Sequence, residues 1–118
     1  MAQKDSIVLC GANSYEEKYY FNQVFDRLPS AVKDELHIMC VLFTEEVGGI
    51  LTLEFLQNGT LVFRTAASDY DYYYDEIEAG LQIRRLQDEK KELLEALETY
   101  FKTVFLGLTP DEENEEGF

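Results

Sequence analysis

Basic residues are scarce in this chain. It holds 10 lysines and arginines against 24 aspartates and glutamates in 118 residues, a net charge of −14. An excess of that size is repelled by phosphate, so direct binding of nucleic acid or of an anionic membrane is not expected. Four of the ten, Arg84, Arg85, Lys90 and Lys91, stand among Asp88, Glu89 and Glu92. They read as surface i,i+4 pairing rather than as a basic patch. Cysteine is equally sparse. Cys10 and Cys40 alone do not make a disulfide framework. His37 is the only histidine, so neither a close-spaced pair of cysteines nor one of histidines exists for zinc. Long apolar runs are missing too. Nothing approaches the ~18 residues of a membrane span. Ile7-Val8-Leu9-Cys10 is shorter than the ~7-residue apolar core of a secretory signal. These absences point to a cytoplasmic protein. Gly48-Gly49 follows a helix or precedes a strand, the wrong order for a phosphate-binding loop, and no cofactor is expected.

What is present suits one globular domain. Hydrophobic residues make up 46% of the chain, and the length fits a single core over 1–108. Residues 109–118 read as a disordered acidic tail. Without its five carboxylates the net charge is still −9, so the domain itself is acidic.

The pattern predicts α+β, a small antiparallel sheet covered by two helices. Ser6 to Cys10 favours a short edge strand, and Gly11-Ala12-Asn13-Ser14 reads as a turn. At 15–21 two readings stand: Ser14 with Glu17 has capping-box spacing, whereas Tyr19-Tyr20-Phe21 favours strand. Asn22 to Leu28 reads as a loop anchored by Phe25 and Leu28. Ser30 then caps a helix over about 31–47, with Val32, Leu36, Met39, Cys40, Phe43 and Val47 on one stripe and Gly48-Gly49 as its stop. Ile38, Val41 and Leu42 are apolar off that stripe, so this helix is expected to be buried on most sides. A strand at 37–44 is the rival.

Segments 50–56 and 60–66 flank Gln57-Asn58-Gly59 as a hairpin. A three-residue loop pairs Phe55 with Leu61 and Leu53 with Phe63, gathering the apolar residues on one face. A two-residue loop mixes the faces, so the three-residue register is preferred. Last comes a long helix over about 75–106, starting at Asp75 with Glu78 and carrying a heptad-type seam at Ala79, Ile83, Leu86, Lys90, Leu93, Leu97, Tyr100 and Val104. Unbroken, it would run ~48 Å at ~1.5 Å per residue. A domain of this size is only ~35 Å across. It must break, at Gly80 or within Asp88–Lys91, or pack its free end on a second subunit.

Candidate sites are few. The segment from Asp69 to Glu76 invites a calcium reading, with Asp69 and Asp71 at loop positions one and three. The spacing fails beyond the first two, with Tyr73 and Tyr74 at the next ligand and turn positions and Gly80 where a bidentate Glu belongs. Tyr70, Tyr72, Tyr73 and Tyr74 suit a partner surface, since tyrosine combines apolar area with a polar tip. They suit equally well a loop whose rings cover a sheet edge. In a helix, His37 and Cys40 share a side, but a stripe cysteine is usually inert.

The strings Gly11-Ala12-Asn13-Ser14-Tyr15-Glu16-Glu17-Lys18-Tyr19-Tyr20, Thr44-Glu45-Glu46-Val47-Gly48-Gly49-Ile50 and Tyr74-Asp75-Glu76-Ile77 resemble a family of small uncharacterised proteins from anaerobic gut bacteria. That resemblance covers most of 7–106. It implies a bacterial cytosolic setting and supplies no active site to carry over.

Three functions follow as expectations. The first is a non-catalytic protein–protein interaction module, its partner surface formed by Asp69 to Asp75 together with Leu93, Leu97, Tyr100 and Val104, homodimeric through the last helix. The second is an acidic mimic of nucleic acid that occupies a basic partner's groove. The third is a small enzyme with a pocket built from Glu16, Glu17 or Glu54 with tyrosine.

Overall fold

The computed structural model describes residues 6–108, so the expected acidic tail at 109–118 lies outside the described residues. Strands β1 (Ile7–Asn13), β2 (Lys18–Phe21), β3 (Ile50–Phe55) and β4 (Leu61–Ala66) form one antiparallel sheet in the order β2-β1-β3-β4. Helix α1 (Ser30–Val47) connects β2 to β3, and α2 (Glu76–Glu89) and α3 (Lys91–Val104) follow β4. The architecture is α+β.

The expected edge strand is interior. β1 pairs with β2 on one side and β3 on the other, and it continues through Gly11, Ala12 and Asn13, which the sequence reads as a turn. Gly11 lets the backbones come close: a Cβ there would lie 2.8 Å from the Leu51 carbonyl oxygen. The turn falls at 14–17 instead. Asn13 Oδ1 accepts from the N–H groups of Tyr15 and Glu16 at 2.9 and 3.2 Å, and Glu17 takes a left-handed φ of 56°. Of the two readings at 15–21, strand prevails from Lys18 onward. A register shift between Val8 and Cys10 makes a bulge at Leu9, and both Leu9 and Cys10 are fully buried.

The β3–β4 hairpin takes the three-residue loop, with Phe55 opposite Leu61, Leu53 opposite Phe63, and Gly59 at φ 93°. Leu51, Leu53, Phe55 and Leu61 thereby enter the core. Thr52, Glu54, Val62 and Arg64 alternate to the opposite face, where Glu54 Oε1 accepts from Ser6 Oγ and Arg64 Nε, each at 3.0 Å.

At 37–44 the chain is helical. Pro29 rather than Ser30 occupies the cap of α1, because its extended backbone presents its carbonyl to the N–H groups of Val32 and Lys33. Gly48, at φ 85°, stops the helix. Leu36, Met39, Cys40 and Phe43 are buried as the stripe requires. The helix is not buried on most sides, however. Ile38 and Leu42 are 58% and 57% exposed.

The predicted helix over 75–106 is two helices. It breaks at Lys90 (φ −107°, ψ 22°), inside the polar Asp88–Lys91 stretch, while Gly80 stays helical. The break turns α3 back over the hairpin. Leu61 N–H donates to Glu98 Oε2 at 2.8 Å, and the Lys102 stem covers Gly59. Phe25 and Leu28 anchor the 22–28 segment as expected, and Phe25 joins Phe55, Phe101 and Phe105 in one ring cluster with centroids 4.4–6.4 Å apart.

Candidate functional site

The loop from Asp69 to Asp75 divides by residue. Tyr70, Tyr72 and Tyr73 are 83%, 85% and 97% exposed. Tyr74 turns inward, its ring against Gly49, where an added Cβ would lie 2.7 Å from Tyr74 Cε1. Tyr15 pins the loop to the β1–β2 turn: its hydroxyl donates to Asp71 Oδ2 at 2.6 Å and accepts from Ser68 N–H at 3.0 Å. That bond to Asp71 raises the Tyr15 pKa, because a phenolate would lose its carboxylate partner. Asp75 caps α2, accepting from the N–H groups of Ile77 and Glu78, and Asp71 Oδ1 accepts from Tyr73 N–H. Asp69 has no such contact and lies exposed. Among the described residues, no group of three or more His, Cys, Asp or Glu side chains is placed to hold a metal ion.

The seam of the last helix points largely at its own domain. Leu97 is buried, Leu93 and Tyr100 pack against the core, and Val104 is 55% exposed. Leu94 and Phe101, one residue on from Leu93 and Tyr100, are the more deeply buried. The seam thus serves the core from a slightly rotated helix.

Apolar surface is instead left open between α1 and α2. A groove of about 670 Å³ lies there. Its floor includes Ile38, Met39, Leu42, Phe43 and Leu86. Its rim carries Asp34, Glu35, Glu46 and Glu89 with two cations, Arg85 and Lys90. Both cations are already engaged: Lys90 Nζ lies 2.9 Å from Glu35 Oε2, and Arg85 Nε lies 3.1 Å from Glu89 Oε2. Glu89 first, then Glu46 and Glu78, hold the Arg85 pKa above its ordinary value, which reports a negative local field. Sequence reasoning did not single out these residues as a site. The signal it had was the pair Ile38 and Leu42, apolar, one helical turn apart and off the buried stripe.

The carboxylates proposed for an enzyme do not converge. Glu54 is engaged by Arg64 and Ser6 on the outer sheet face. Glu17 lines a hollow with Tyr19 and His37, and Glu16 lines a different one with Tyr20 and Ile50. His37 does not pair with Cys40. Its ring stacks on Tyr19, with centroids 4.3 Å apart. The neighbour of Cys40 is Cys10, sulfur to sulfur at 3.8 Å.

No helix among the described residues is long and apolar enough to cross a membrane. Comparison with curated proteins and with solved structures finds no match. A family model does match, and it spans residues 6–109, which takes in the whole described fold from β1 through α3. The chain belongs to that family, a family of unknown function (DUF6145), as the resemblance read from its strings implies.

Proposed function

We propose that this protein is an interaction module whose groove between α1 and α2 receives an amphipathic, basic helix from a protein partner. The observation that carries the reading is the exposure of Ile38 and Leu42 on the groove floor, at 58% and 57%. Adjacent apolar side chains one turn apart suit the i, i+3, i+4, i+7 anchors of a helix laid in a groove. The charge of the rim selects the partner. With Arg85 and Lys90 engaged by Glu89 and Glu35, Asp34 and Glu46 remain as surplus negative charge. A partner with lysine or arginine flanking its apolar stripe complements that rim, and steering by the chain's overall charge speeds the encounter. A second copy of the chain, itself at −14, brings like charge to the same rim.

The test uses the full chain and a labelled helical peptide with leucines at i, i+4 and i+7 flanked by lysines, read by fluorescence anisotropy. Binding is expected to saturate, to weaken with salt, and to fall at least about tenfold, ~1.4 kcal/mol, in the Ile38→Gln/Leu42→Gln variant. Both side chains face solvent, so that variant retains its core. Equal binding by the variant, or by a peptide with glutamate in place of lysine, overturns the reading. So does a dimer of the chain alone that the same double substitution dissolves, since the groove is then filled by a second copy.

A further inference from the structure

Two cysteines 30 positions apart meet in the core. Cys10, on β1 beside the Leu9 bulge, and Cys40, on the buried stripe of α1, are each 0% exposed, and their sulfurs lie 3.8 Å apart. That is van der Waals contact. Closing it to a disulfide of ~2.05 Å asks each sulfur to travel roughly 0.9 Å.

The surroundings give the two sulfurs different roles. Tyr19 packs its ring on His37 and buries its hydroxyl, which finds no hydrogen-bond partner among the described residues. Burial first, then the Cys10 sulfur, raises the Tyr19 pKa, so the phenol stays protonated. The Cys40 S–H bond lowers the Cys10 pKa, with Tyr19 adding to it against the cost of burial. The same bond raises the Cys40 pKa, as does burial. Either sulfur can donate in this S–H···S contact, and the shared bond favours loss of the proton from Cys10 over Cys40. An isolated buried cysteine is inert, but the thiolate is the reactive form, and here a second thiol lies in contact with the first. A hollow of about 610 Å³, lined by Tyr19, His37, Val41 and Thr44, opens beside Cys40 on the same helix.

We propose that Cys10 and Cys40 are a peroxide-sensitive dithiol that closes to an intramolecular disulfide tying β1 to α1. The Cys10 thiolate attacks one oxygen of hydrogen peroxide. The O–O bond breaks, and with one proton taken up the products are a Cys10 sulfenic acid and water. The Cys40 sulfur then attacks the sulfenic sulfur. The S–O bond breaks, the oxygen leaves with the thiol proton as a second water, and the disulfide forms. Two thiols are oxidised and one peroxide is reduced to two waters.

The experiment treats the full folded chain with hydrogen peroxide and reads intact mass and non-reducing peptide maps. The expected product has lost two hydrogens, both alkylatable thiols, and yields a peptide joining Cys10 to Cys40; a phosphine reductant restores the original mass. Cys40→Ser is expected to leave Cys10 as a sulfenic acid that dimedone traps. Cys10→Ser is expected to leave Cys40 unmodified. Oxygen adducts without linkage, linkage only between chains, or reaction only after unfolding in urea overturn the proposal. The wild-type measurement decides the matter even where a variant folds poorly.

Discussion

Lys90 Nζ lies 2.9 Å from Glu35 Oε2, and this one contact joins the elbow between α2 and α3 to the rim of the groove on α1. Both side chains keep substantial solvent exposure, 33% and 42%, so the pair contributes little to stability. A double-mutant cycle in urea is expected to give a coupling of at most about 1 kcal/mol. Its larger effect is on the charge of the rim. Lys90→Gln frees Glu35 and should tighten a lysine-flanked peptide a few-fold. Glu35→Gln frees Lys90 and should weaken it a few-fold, with the two variants converging at high salt. Changes in the same direction would show that this rim does not meet the peptide.

Gly48 and Gly49 separate two costs of a side chain. Both have positive φ, 85° and 72°. A Cβ at Gly48 meets nothing within 4 Å, so Gly48→Ala carries backbone strain alone, about 1–3 kcal/mol. A Cβ at Gly49 would lie 2.7 Å from the Ala66 carbonyl oxygen and 2.7 Å from Tyr74 Cε1. Gly49→Ala is therefore expected to lose clearly more stability in urea unfolding, because a backbone atom cannot yield as a side chain can. Equal losses would contradict the close approach of β4 and Tyr74 to this turn.

Tyr15 gives the tyrosine loop a dependence on alkaline pH. Its bond to Asp71 raises its pKa above 10.0. A raised folded-state pKa means that the contribution is fully present below pH 10.0 and is lost as pH rises through the folded value. In an absorbance titration, the wild type minus Tyr15→Phe is expected to show one phenol ionising above pH 10.0. The link from Tyr15 to Ser68 and Asp71 should loosen over the same window. A difference curve centred at or below pH 10.0 would contradict the bond.

The parts of the fold that could be read from sequence are those fixed by short-range chemistry. The Gln57-Asn58-Gly59 hairpin was readable because only one register segregates Leu51, Leu53, Phe55, Leu61 and Phe63. Helix α1 was readable from its stripe and its Gly48 stop. Long-range placement was not. β1 gains its second neighbour, β3, from across α1, so nothing local marks it as interior. The burial of Ile38 and Leu42 depends on where α2 lies, and α2 lies so as to leave them open. Nothing in the sequence links Cys10 to Cys40, and only the α1–β1 packing brings their sulfurs together.

The central claim, that the groove between α1 and α2 is the partner site, is tested most directly by backbone NMR of the full chain titrated with the lysine-flanked helical peptide. The account predicts shift changes concentrated on α1 around Asp34, Ile38, Leu42 and Glu46 and on α2 around Arg85 and Glu89, the residues that line the groove. Changes confined to Tyr70, Tyr72 and Tyr73, or to the outer sheet face at Thr52 and Val62, with α1 silent, would contradict it.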